Sequence, residues 1–296
     1  AFVPLSEPSG LGWLDGFDEL LVRCGLESNG APEFNEEGRL AYPLHGRIGN
    51  LPAHALSLTV DTDSGEIQLQ GVVEESRFHF LKLRLTTTIT TRLGQPELRI
   101  DDVVENLSAS PAEAQLLYHV NFGVPLLDSG SQFVAPLRTV VPRDERAAAG
   151  IRNWQNYAAE QPGFEEQVYF LDLLADGQGQ THTLLKNSHG TQGVSLRFNR
   201  NQLPCFTVWK NTTSIHDGYV TGLEPGTNYP NPRSFEGEQG RVARLDPRGR
   251  QEFSLSLEVH GDAADVERAE REITRLQEGH APTIHDSPQA GWCAGV

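Results

Sequence analysis

Methionine is absent from all 296 residues, and the chain opens on Ala1. That start reads as a trimmed or incomplete N-terminus. Cysteine is scarce. Cys24, Cys205 and Cys293 are odd in number, widely spaced and form no CxxC pair, which points to a reduced, cytoplasmic chain. Long apolar runs are missing as well. Nothing approaches the roughly 20 residues that a spanning helix needs. The opening "AFVPLSEPSG" has neither the charged start nor the apolar core of a signal peptide. Positive charge is in short supply: 24 Lys and Arg face 40 Asp and Glu, for a net charge of −16. Such a surface repels phosphates and argues against a nucleic-acid or anionic-membrane partner. Several catalytic signatures are also lacking, among them GxSxG, the P-loop and HExxH. "GLGWLDG" does not have GxGxxG spacing, so nothing supports a nucleotide cofactor.

What is present reads as strands. "LSLTVDTDSGEIQLQGVVEE" (56–75) alternates around an Asp-Ser-Gly turn, the pattern of a hairpin. The segment 78–108 alternates over a greater length, with Phe78, Phe80, Leu83 and Leu85 among polar residues and a Thr run suited to strands. "EAQLLYHVNFGVPLL" (113–127) predicts a strand buried on both faces. "QVYFLDLLAD", "THTLLKN", "GVSLRFN", "CFTVWKN" and "QEFSLSLEVHG" complete the series. Helical spacing is confined to two places. One is a short piece around Phe17–Cys24, closed by Gly25. The other is 262–279, where Val266, Ala269, Ile273 and Leu276 share a face. The pattern predicts an all-β protein, an antiparallel β-sandwich with a C-terminal helix, in a single domain over 1–296.

Three polar clusters stand out. "YPLHGRIGNLPA" (42–53) carries His45 and Arg47 beside glycines. "LLYHVNFGVPLL" places His119 and Asn121 on one strand face, where polar groups need partners or cost stability. "YVTGLEPGTNYPNPR" holds one acid, Glu224, between Gly222 and Pro225, preceded by Lys210 in "VWKN". Each has a plain structural reading: a loop histidine bonding carbonyls, a hydrogen-bonded core histidine, an acid capping a turn. Metal binding by His45, His119 and His216 is a weaker alternative, since no paired spacing supports it. Arg23, Arg39 and the Glu74-Glu75 pair read as solvated faces or structural salt links.

Taken together, "GLGWLDGFDELLVRCGL", "LHGRIGNLPA", "LLYHVNFGVPLL" and "GLEPGTNYPNPR" resemble the aldose 1-epimerase (galactose mutarotase-like) superfamily. They look most like an uncharacterised bacterial branch of it. The resemblance covers nearly the whole chain and implies an antiparallel β-supersandwich with a sugar bound in an open cleft. Members of that branch usually carry further N-terminal strands, which this chain is expected to lack. By order and motif, Glu224 matches the family's general base, His119 its general acid, and His45 a sugar-binding histidine with Arg47 beside it. "YHVNFG" and "LEPGTN" replace the usual contexts of the acid and the base.

The resemblance implies a monosaccharide or sugar derivative as ligand, with no metal or organic cofactor. The expected reaction is anomer interconversion through ring opening, which requires an acid and a base at fixed positions. Asn121 and Lys210 join His45 and Arg47 as expected substrate-binding residues. Two alternatives stay open. One is a sugar-binding module without turnover. The other is an isomerase or lyase on an acidic or oxidised sugar, with Arg47 and Lys210 holding the anion.

Overall fold

A computed structural model of the protein describes residues 10–17 and 19–296. In chain order its strands are β1 (Leu21–Leu26), β2 (Glu33–Phe34), β3 (Leu40–Tyr42), β4 (Ala55–Asp61), β5 (Glu66–Arg77), β6 (Leu81–Arg92), β7 (Glu97–Asn106), β8 (Ala112–Gly123), β9 (Gln132–Val134) and β10 (Leu137–Pro142). They continue as β11 (Gln167–Leu173), β12 (Gln180–Lys186), β13 (Gly193–Asn199), β14 (Cys205–Asn211), β15 (Val220–Gly226), β16 (Ala243–Leu245), β17 (Arg250–His260) and β18 (Thr283–Ile284). Three α-helices accompany them: α1 (Glu145–Ala148), α2 (Arg233–Glu238) and α3 (Ala263–Gln277). The described residues divide into two compact units. The first runs to His119 and resumes over Gly226–Ser254; the second is Val120–Pro225 with Leu255–Val296.

In the first unit the strands follow the order β4-β5-β6-β7-β17, while β1 and β16 pair with β8. Alternation sets what is buried. Leu81, Leu83 and Leu85 of β6 turn inward between Lys82 and Arg84, and Ile100, Asp102 and Val104 of β7 do the same. A buried charge needs a partner. Asp102 has Arg23 of β1, whose Nε and Nη2 donate at 2.8 and 3.2 Å. Arg23 is therefore a structural salt link. Phe78 and Phe80 do not join the alternation. They lie in the turn before β6 and are 80% and 83% exposed.

In the second unit the orders are β15-β14-β11-β10-β18 and β17-β13-β12-β9, with β18 joining β10 in parallel. Phe133, Phe206 and Phe198 stack at centroid separations of 5.6 and 5.9 Å and fill its core. Helix α3 starts at Asp262, whose side chain accepts from the Asp265 amide, and buries Val266, Ala269 and Ile273 against Leu184 and Val134.

The helix expected around Phe17–Cys24 does not form. A 3-10 turn covers Trp13–Gly16, and Leu21 already begins β1. The apolar spacing of Phe17, Leu21 and Cys24 fits a helix. Val22, Cys24 and Leu26 fit a strand equally well, and pairing with β8 selects the strand.

Candidate functional site

In the first unit the candidates gather around His119. This residue projects from β8 and is buried. The His45 ring stands edge-on to it at 5.7 Å. Trp13 lies 4.3 Å from His45 and 5.3 Å from His119, and Phe17 meets His119 edge-on at 5.1 Å. The two histidines far apart in sequence thus share one aromatic cluster.

The loop that presents His45 is stitched to β1. Gly25 N–H donates to the His45 carbonyl at 3.1 Å, and Arg47 N–H donates to the Gly25 carbonyl at 2.8 Å. His45 takes φ 55° and Gly46 φ 76°, and a Cβ on Gly46 would collide with the carbonyls of Ser28 and Gly25. Only glycine permits that approach. His45 Nδ1 is 3.0 Å from the Asn29 carbonyl, which fixes the ring plane. Arg47 is half-buried, in the field of Glu75. Glu75 is itself buried and accepts from the Leu26 amide at 2.7 Å. Burial and the charge of Glu27 raise its proton affinity, while the Leu26 and Glu27 amides and Arg47 oppose the rise.

In the second unit Glu224 is 2% exposed on β15, a strand buried on both faces. Its pKa is pushed well above the usual carboxylate range, first by burial and then by the charge of Glu166, with Arg143 pulling the other way. Strand geometry assigns the faces. Thr221 Oγ1 lies 2.8 Å from the Tyr157 hydroxyl, and Lys210 Nζ sits over the same ring at 4.7 Å. Glu224, three residues further, falls on the opposite face of β15, and Trp209 on the opposite face of β14 from Lys210. Glu224 and Trp209 therefore share a face of adjacent strands.

Around them, Trp209 Nε1 donates to Glu166 Oε2 at 2.7 Å, and Arg143 Nη2 donates to Glu166 Oε1 at 3.0 Å. Lys210 points the other way. Its ammonium donates to the carbonyls of Trp154 and Asn156 at 3.0 and 2.6 Å, and burial lowers its pKa to about 8. Asn121 is half-buried near the end of β8.

Trp13, Phe17, Arg143, Glu166 and Trp209 escape the sequence reading as site residues. Trp13 and Trp209 lay inside the quoted segments "GLGWLDG" and "VWKN", and an aromatic beside a polar candidate was the available signal. An open cleft of about 740 Å3 in the first unit is lined by Lys82, Glu113, Arg233 and Arg244 among others, and by none of the six candidates. Among the described residues no cluster of His, Cys, Asp and Glu could hold a metal ion.

Residues 1–259 match the family described as "Domain of unknown function (DUF4432)". The chain belongs to the DUF4432 family. Among solved structures, this DUF4432 member is similar to a "putative aldose 1-epimerase" from Klebsiella pneumoniae subsp. pneumoniae. The two share 37% identity at a TM-score of 0.91, over 98% of this chain and 75% of that one. A galactose mutarotase-like protein from Clostridium acetobutylicum aligns with a TM-score of 0.55 at 14% identity, over 82% of this chain and 79% of that one. A galactose mutarotase related enzyme from Lactobacillus acidophilus gives 0.55 at 13% identity, over 81% and 83%. No curated protein matches. The DUF4432 chain is thus a branch of the galactose mutarotase-like (aldose 1-epimerase) superfamily and has its antiparallel β-supersandwich fold with a C-terminal helix. Among its described residues no helix is long and apolar enough to cross a membrane.

Proposed function

We propose that this DUF4432 member is an isomerase of the aldose 1-epimerase type, interconverting the anomers of a monosaccharide or sugar derivative. Glu224 takes the proton of the anomeric hydroxyl, and His119 delivers one to the ring oxygen. The C1–O5 bond breaks, its electron pair stays on O5, and C1 becomes an aldehyde. Rotation about C1–C2 and reversal of both transfers close the ring on the other face. No electrons leave the sugar, so no cofactor is required. His45, Arg47 and Asn121 serve the sugar hydroxyls. Lys210 acts as a strut for the 154–156 turn, because its ammonium is engaged by two carbonyls.

The observation that carries this reading is the Glu224 carboxyl. A fully buried acid whose pKa is driven upward is costly to a fold and useful to a proton acceptor, whose best pKa lies near the working pH. The Klebsiella relative's description supports the same chemistry. His119, enclosed by Trp13, Phe17 and His45, has the fixed orientation that proton transfer needs.

The test is an anomer-exchange NMR screen over hexoses, pentoses and uronic acids. The wild-type chain should accelerate exchange of at least one sugar. Glu224→Gln and His119→Gln should each slow it by about 10²–10⁴-fold. Binding of a sugar without any acceleration would favour a sensor or carrier. An ultraviolet-absorbing unsaturated product would favour a lyase. Wild-type exchange by Glu224→Gln would remove it from the base role.

A further inference from the structure

Trp209 is a large, partly exposed aromatic that the site chemistry leaves unused on the Glu224 face, where Phe170 of the next strand is fully buried. Its indole is half-buried, on the strand next to that of Glu224. The position two residues before Glu224 on the same face is Gly222, which has no side chain. The indole is held from the edge. Its N–H donates to Glu166 Oε2, whose other oxygen accepts from Arg143, while Arg143 Nε donates to Asp144 Oδ2 at 2.9 Å. Asp144 in turn caps helix α1 through the Ala147 amide at 2.8 Å. A run of charge-assisted bonds thus leads from a helix cap to the indole edge. So much anchoring is excessive for a surface tryptophan. It suits a ring that must hold one plane.

A pyranose has one face of C–H bonds with small positive charge, and an aromatic face is negative. Resting on the substrate reading above, we propose that Trp209 is the stacking platform for the apolar face of a pyranose at the Glu224 site, with Glu166 as its positioning residue. The ligand class this selects is a pyranose with an unobstructed C–H face. Trp209 touches the sugar; Glu166 acts through Trp209.

Methyl glycosides separate this inference from the proposed catalysis, because without a free anomeric hydroxyl they bind but cannot open. The probes are the methyl pyranosides of D-galactose, D-glucose and D-xylose, with the parent sugars beside them. Binding is read by tryptophan fluorescence and calorimetry. At least one probe should change the wild-type fluorescence saturably. Trp209→Phe should lose most of that signal, and Trp209→Ala should weaken affinity about fivefold or more, with thermal unfolding close to wild type. Glu166→Ala should weaken affinity about threefold, and Glu166→Gln, which keeps an acceptor for the indole N–H, should restore it. Wild-type affinity in Trp209→Ala for a probe that binds would overturn the platform and leave the isomerase reading standing. Trp209-dependent binding without anomer exchange would keep the platform and overturn the isomerase. Failure of every pyranose and pyranoside to bind the wild-type chain would overturn both.

Discussion

Glu224 sets burial against its proposed role as a base. A carboxylate without water is expensive, and burial with Glu166 nearby shifts Glu224 toward its protonated form. Its folded pKa lies above its unfolded one. The charged form therefore weighs on the fold once pH rises past the ordinary carboxylate range, and increasingly so through the folded pKa. Glu224→Gln should accordingly raise the melting temperature more at pH 8 than at pH 4, while removing activity; calorimetric scans at both values check it. The acid limb of the rate profile should also sit above the usual carboxylate range. Glu166→Gln should move that limb to lower pH, since it deletes a like charge, and Arg143→Gln should move it higher. Thr207 offers a cleaner case. Its hydroxyl is buried without a partner, so Thr207→Val should stabilise by about 1 kcal/mol in urea unfolding. As candidates, His119 stood out in the sequence as a polar interruption of an apolar strand, and Glu224 as a lone acid framed by Gly222 and Pro225. Arg143 and Glu166 did not, because a charged residue in a loop gives no sign of which partner it meets.

Helix α3 shows what an element can carry. Ile273, Ala269 and Val266 pack on Leu184, and Ile273→Ala should cost about 2–4 kcal/mol in denaturant unfolding. Under the same helix sits a titratable layer. His182 Nε2 lies 3.3 Å from the Ala269 carbonyl, and His260 Nε2 bonds Ser195 Oγ at 2.8 Å. Burial lowers both pKa values. Arg197 reinforces the shift at His182, where Glu272 and Glu258 oppose it. At His260 Arg197 and Arg268 reinforce it, against Glu258 and Asp265. The unfolded chain therefore takes up protons first. The contribution of these two histidines to stability should be full above about pH 6.5 and fall as pH drops through that value toward the folded pKa values. Melting curves between pH 7.5 and 5 should show the loss, and His182→Gln should flatten it. The helix itself was readable, expected over 262–279 and found over Ala263–Gln277, because four apolar residues at helical spacing leave little choice. Strands β13 and β14 coincide with the segments "GVSLRFN" and "CFTVWKN". Strand β1 was misread as helix because six residues hold both periods and only the neighbouring strand decides.

For the molecule as a whole, the unresolved tension is between its charge and one apolar sheet face. Alternation in 56–75 correctly yields the β4–β5 hairpin, with Leu58 opposite Leu69 and Leu69 opposite Ile89. Alternation says which side chains share a face; it does not say what covers them. All seven residues of β4 are exposed, with Leu56 at 70% and Leu58 at 66%. Among the described residues strand β4 also ends its sheet, so there its outer edge presents amide and carbonyl groups to a strand that approaches. An apolar edge strand of this kind favours pairing between copies. The net charge of −16 opposes it, since like-charged chains repel. Salt weakens only the repulsion, with a screening length of about 30 Å at 0.01 M falling to about 3 Å at 1 M. The weight-average mass from sedimentation should therefore rise between low and high sodium chloride. Leu58→Lys, which puts a cation in the middle of the apolar row, should hold the mass near that of one chain throughout. A mass independent of salt in the wild-type chain, or a salt-driven rise unchanged by Leu58→Lys, would show that β4 does not govern association.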